Sequence, residues 1–283
     1  MAIKDVLLSL TSYPDPTSDA SIEQALNLCK VLAAHVTAVT FQAEAKMTRT
    51  TDILTNMLLD LPLMLEEEKA RSSSNARHLL DTFSDSAARL GVPSAKVLDK
   101  CIAFQVPDVL VQHARLHDLT IIPFQEAYSV EQWYAEVVIF GSGRPVIVLP
   151  AVARPIEATF STVAVAWDFS RPAARAVADA LPILQQAKHV RLVTITNEKE
   201  ISDSHSHAEL AQNLLRHGVG IELDVVDAKE RTSGAALSEY VASIKADLLV
   251  MGAYGHSRMK EFILGGATKM MLDKPPIAVF LSH

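Results

Sequence analysis

The sequence predicts an α/β fold made of two repeated domains, each an open five-stranded parallel sheet with helices on both faces. Three observations carry this. Short, nearly continuous apolar runs alternate with stretches of helical spacing along the 283 residues, the pattern of a parallel sheet covered on both sides. The chain also reads twice, with matched segments roughly 130 to 157 residues apart, too long a period for a solenoid and about one domain length. Finally, "PAVARPIEATF", Pro150 to Phe160, has two prolines and no clear period, as a linker would. The expected domains are residues 1–150 and 157–283.

The first reading opens on the apolar run "DVLLSLTS" from Asp5. A helix follows in which Ile22, Ala25, Leu26, Cys29, Leu32 and Ala33 share one face, with Ser18 or Asp19 as cap. The second reading opens on "TVAVAWDFS" from Thr162 and continues with Ala174, Val177, Leu181 and Leu184 on one face. Ser170 is the expected N-cap, and Pro172 is tolerated in the first turn. The endings match too: "HDLTIIPF" echoes "ADLLVMGA", and "GRPVIVLP" echoes "DKPPIAVFL". Between them the second reading has strand-like "HVRLVTITN", helical "HAELAQNLLRHG", strand-like "GIELDVVDA" and a helix with Leu237, Tyr240, Val241 and Ile244 buried behind Ser233 as cap. The first reading carries an insertion from Glu44 to Gly91, expected as a loop, a Met/Leu-rich packing segment and a long helix with "EEEK" at Glu66 to Lys69 on its solvated face.

Composition narrows the function. With 49% apolar and 21% charged residues and a net charge of -7, the chain has no positive field to hold a nucleic acid or an anionic membrane. Cys29 and Cys101 lack zinc or redox spacing and are expected as buried thiols. No apolar run reaches the ~20 residues of a membrane helix, and the first residues do not resemble a signal peptide, so a cytoplasmic location is expected. His205 and His207 in "DSHSHAE" lack a third recognisable ligand. Neither GxxxxGK[ST], nor GxGxxG after a strand, nor GxSxG occurs, and "FGSGRP" reads as a turn.

The informative stretch is "DLLVMGAYGHSRMKEFILGGATKMM". Gly252 ends an apolar run at the edge where parallel sheets bind ligands, and there a missing Cβ permits positive φ and close approach of an anion. Gly265 and Gly266 precede a helical stretch whose start would offer free N–H groups to a phosphate. "GAYGHSRMKEFILGG" resembles the G-x2-G-x9-G-[S/T] signature of the universal stress protein family in its ATP-binding branch. "VAVAWDFSRPAARAVADALPIL" is similar to that family's first strand and helix in the tandem two-domain (UspA) form, whose units are Rossmann-like (HUP-type) sheets.

The resemblance implies an acidic residue against adenine at Asp168, with Gly252, Gly255 and Gly265 holding ribose and phosphates. It also implies Ala166, Trp167, Ile195, His256 and Ala267 around the ligand. The implied ligand is ATP, alone or with Mg, with ADP and AMP as alternatives. Gly266 departs from the signature's Ser/Thr, and Thr268 one helical step on is the substitute donor. Asp168 also reads as a helix cap, Trp167 as packing under the sheet edge, and His256, Arg258, Lys260 and Lys269 as solvated surface. In the first reading Thr11 or a neighbour stands where Asp168 would be, and "IIPFQEAYS" replaces the first two glycines, so no nucleotide is expected there. Family members dimerise through the last strand, which implies that the two halves mate as an intramolecular pseudo-dimer, with further self-association of whole chains open. Three functions follow: a nucleotide-binding stress-response regulator, a scaffold acting through protein contacts, and a slow ATPase, since no carboxylate pair or loop lysine equips the site for phosphoryl transfer.

Overall fold

Apolar runs and amphipathic stretches alternate in the computed structural model as they do in the sequence. It describes residues 2–43, 61–125, 129–151, 159–196, 205–253 and 266–283. The first half holds β1 (Asp5–Leu10), β2 (His35–Ala43), β3 (Ser94–Cys101), β4 (Leu119–Phe124) and β5 (Val146–Pro150). The second holds β6 (Thr162–Ala166), β7 (His189–Thr196), β8 (Glu222–Asp227), β9 (Leu248–Gly252) and β10 (Ala278–Ser282). The first half's helices are α1 (Asp19–Leu32), α2 (Leu61–Leu90), α3 (Val106–Ala114) and α4 (Val130–Gly141). Those of the second are α5 (Arg171–Leu184), α6 (His205–Arg216), α7 (Ser233–Ser243) and α8 (Gly266–Asp273).

All ten strands form one sheet in the order β3-β2-β1-β4-β5-β10-β9-β6-β7-β8. Each half is parallel within itself, with its first strand third from its own outer edge. The halves meet where β5 and β10 pair antiparallel, Val148 opposite Val279 and Ile147 opposite Phe280. The proline-headed strands that would otherwise be open edges thus close on one another. Side chains alternate across the sheet. Val6, Leu8, Val163, Val165 and Phe280 join α1, α2, α5 and α6 in one core, while Leu7, Ala164, Val279 and Leu281 join α3, α4, α7 and α8 in the other. Both cores run across the seam.

The echo of "HDLT" and "ADLL" has a physical basis. Asp118 accepts hydrogen bonds from the backbone N–H of Lys4 and Asp5, and Asp247 accepts them from Ser161 and Thr162. In each half this carboxylate pins the start of the central strand to its neighbour. Ser18 and Ser170 cap α1 and α5 as expected, each accepting from the N–H three residues on. Ala33 adopts left-handed φ 49 as the C-cap of α1, so it leaves the stripe assigned to it. α7 is capped by Thr232 instead of Ser233, its hydroxyl accepting from Ala235 N. From Leu61 on, the Met/Leu-rich segment is part of α2; residues 44–60 of the insertion lie outside the described residues, as do linker residues 152–158. Glu66 to Lys69 are exposed on α2. Cys29 and Cys101 are buried and form no disulfide, and burial pushes the Cys29 thiol up to about 12. Among the described residues no helix is long and apolar enough to cross a membrane.

The outer edge of the second half is tied by one ionic network. Arg191 on β7 holds Asp224 on β8 through two bonds of 2.7 and 2.8 Å, and the Tyr240 hydroxyl of α7 donates to the same carboxylate. The bond from Arg191 is the largest cause that lowers the Asp224 carboxyl below 3.8. A lowered folded value means stability that is present above 3.8 and lost as pH falls through the folded value. Asp224→Asn is expected to cost about 1.5–3 kcal/mol at pH 7. In urea titrations its deficit against wild type should shrink steadily below pH 4, about where the free carboxyl titrates.

Candidate functional site

β6 and β9 are neighbours, Val163 opposite Leu248 and Val165 opposite Val250. Their carboxyl ends therefore bring the turn after Ala166 and the residue Gly252 to the same rim. Trp167 is held to β7 by its N–H on Val193 O at 2.9 Å and packs its ring against the core below, with the indole N–H buried and, among the described residues, unpartnered. Asp168 is exposed, and its Oδ1 accepts the N–H of Ser170 at 3.1 Å. Asp168 thus shapes the turn, while Ser170 is the helix cap. Between them Phe169 sits at φ 59, a left-handed conformation that costs a bulky residue energy and tends to persist where the surroundings impose it.

The surroundings are aromatic. The Phe169 ring meets Trp167 edge-on at 5.5 Å and His207 at 4.8 Å, and the His207 Nε2 lies 2.8 Å from Thr194 Oγ1. His205 and His207 belong to α6, not to a polar loop. Among the described residues no group of three or more His, Cys, Asp or Glu could hold a metal ion.

Gly252 has a different reason to be glycine from the one its sequence position suggests. A Cβ there would lie 2.4 Å from Ala173 N and 2.5 Å from Pro172 C, and its φ is not positive. The missing side chain lets the first turn of α5 lie directly on the end of β9. It is a helix-to-strand contact, not an opening in the rim.

Gly266 opens α8, and a Cβ there would meet nothing within 4 Å. Ala267 is partly buried, and Thr268 is only 4% exposed; burial takes its hydroxyl away from the surface as a substitute for the missing Ser/Thr. Lys269 is exposed. Ala166 and Ile195, in the neighbouring strands β6 and β7, are partly buried against the α7 and α8 side. Gly255, His256, Gly265, Arg258 and Lys260 lie outside the described residues.

The corresponding rim of the first half is filled. Pro123 and Phe124 end β4, with Phe124 buried. The space at the end of β1 is a cavity of about 40 Å³ walled by Thr11, Ser12, Tyr13, Phe41, Ser72 and Tyr134. Ser12 donates to Phe41 O and lies 3.3 Å from the Ser72 hydroxyl on α2, and Asn75 Nδ2 of that helix donates to Ser12 O. The inserted helix thus closes the end of β1. Phe169 and Thr194 are residues of the second rim that sequence reasoning passed over, and His207 was weighed there only as a metal ligand. The signal for Phe169 was its place inside "WDFS", in the turn between strand and helix.

Residues 159–283 match the family model described as the universal stress protein family. No curated protein matches the chain. Among solved structures, a universal stress protein from Archaeoglobus fulgidus superposes with a TM-score of 0.69 at 15% identity, over 98% of this chain and 95% of that one. A Pseudomonas aeruginosa protein assigned to the same family gives 0.57 at 14% identity, over 99% and 93%. At such identities the two superpositions speak for the fold alone. Residues 159–283 are thus similar to the universal stress protein family, and the half that precedes them repeats their strand order.

Proposed function

We propose that the second half binds ATP, or its di- or monophosphate, at the rim formed by β6, β9 and the start of α8, and that the protein acts as a nucleotide-responsive regulator of a cytoplasmic stress response. Asp168 carries this reading. Its carboxylate is exposed at the end of the first strand of that half, and among the described residues it has a single hydrogen bond, from Ser170 N to one of its two oxygens. The other oxygen can accept from an exocyclic amine such as that of adenine. The exposed Gly266, where a Cβ would meet nothing within 4 Å, supports a phosphate nearby, because a helix N-terminus favours an anion. The first half does not share this role: a cavity of about 40 Å³ is far below the ~300 Å³ and more of ordinary ligand pockets.

The test is acid release of nucleotide from the purified protein, followed by calorimetric titration of ATP, ADP and AMP into wild type and Asp168→Ala. Wild type should bind saturably, and the substitution should weaken binding at least about tenfold, or ~1.4 kcal/mol, with far-UV circular dichroism unchanged. If wild type releases nothing and gives no heat at millimolar ATP, the chain is a tandem scaffold that works through protein contacts. Gly266 in place of a hydroxyl residue and the burial of Thr268 favour that second reading.

A further inference from the structure

α4 buries Tyr134, Ala135, Val138 and Ile139 against the sheet. Its opposite side is apolar as well, which a solvated helix face has no reason to be. Trp133 is 44% exposed and Phe140 48% exposed, and the partly buried Val137 lies between them at helical spacing. Met270 on α8, 38% exposed, adds to the same side of the sheet.

This surface is continuous with the seam between the halves. Gln132 Nε2 of α4 donates to Asp273 Oδ1 of α8 at 2.9 Å, and the Phe140 ring packs edge-on against His283, the last residue of the chain, at 4.9 Å. Val137 and Met270 also occupy corresponding places in the repeat, each nine residues before the paired strand residues Val146 and Val279. Beyond this one pair the two sides differ, Gly266 and Asp273 standing where α4 has Trp133 and Phe140; an isologous contact needs only the same patch on both molecules, which this face can supply.

We propose that this α4–α8 face is where a second copy of the chain docks, forming a dimer of tandem chains with α4 of one molecule against α8 of the other. Charge selects that pairing over α4 on α4. The outward side of α4 carries Glu136, whereas α8 and the residue after it expose Lys269 and Lys274. Crossed pairing brings opposite charges together around an apolar centre; the parallel alternative sets Glu136 near its own copy. Trp133 and Phe140 are the anchors, since buried aromatic residues near the middle of an interface carry most of its energy.

Sedimentation velocity on wild type, Trp133→Glu, Phe140→Glu and the control Leu215→Glu tests this. Leu215 is 58% exposed on α6, on the opposite side of the sheet, so its substitution should leave the dimer intact. Wild type and the control should sediment as dimers, and each α4 substitution should raise the dissociation constant about 100-fold or more with unchanged far-UV circular dichroism. Emission from Trp133 should also shift to the red as the Trp167→Phe protein is diluted through its dissociation constant. A wild type that stays monomeric at 1 mM, as it would if the face served a different protein, overturns the proposal. So does a dimer whose mass Trp133→Glu and Phe140→Glu leave unaltered.

Discussion

Gly252→Val is expected to destabilise the second half by about 3 kcal/mol or more, whether or not nucleotide is present. The first atoms in the way of a Cβ belong to the backbone of Pro172 and Ala173, at 2.5 and 2.4 Å. A side chain could rotate aside, but the first turn of a helix cannot do so without lifting α5 from β9. Ala176, Ala180 and Ile183 of that helix are buried in the core, so lifting it exposes apolar surface along its length. Trp133 lies in the first half and Trp167 at the rim of the second, so urea titrations of Trp133→Phe and Trp167→Phe backgrounds report on the two halves separately. The midpoint followed by Trp167 should fall sharply. An unchanged midpoint with ATP binding lost would mean that Gly252 serves the ligand and not the packing of α5.

That contrast shows where the sequence stops being legible. Local causes could be read from it. Apolar runs became strands, and Ser18 and Ser170 became caps because each stands just before a helical stripe. The repeat was visible because Asp118 and Asp247 do the same work at the same place, and the prolines before β5 and β10 marked the strands that meet. Thr232 and Ser233 are adjacent hydroxyl residues, and the pattern does not say which of them leaves the helix. The places of Asp168 and Gly266 in the fold were legible, one as an acid after a strand, the other as a glycine before a helical stretch. The role of Gly252 was not, because glycine serves positive φ and close packing equally well, and only the position of α5 tells them apart. The contact of Phe169 with His207 was missed for a related reason. Their meeting depends on where α6 starts relative to the end of β6, a tertiary distance without a local signature.

Gly266→Ser should bind ATP about tenfold more tightly than wild type while leaving stability within about 0.5 kcal/mol. The position permits the change: a Cβ there meets nothing within 4 Å, and φ lies outside the left-handed range. Serine is at home at a helix start. Its hydroxyl would stand at the head of α8 as described, and a hydrogen bond to a charged acceptor is worth about 1.5–3 kcal/mol, which covers a tenfold gain. Two comparisons isolate the hydroxyl. Gly266→Ala supplies the same Cβ without the donor and should bind as wild type does. Adenosine, which has no phosphate, should bind wild type and Gly266→Ser equally. If serine and alanine at this position bind ATP alike, the phosphates do not lie over the start of α8. The open space above Gly266 would then belong to the surface, and Asp168 alone would have to account for nucleotide binding.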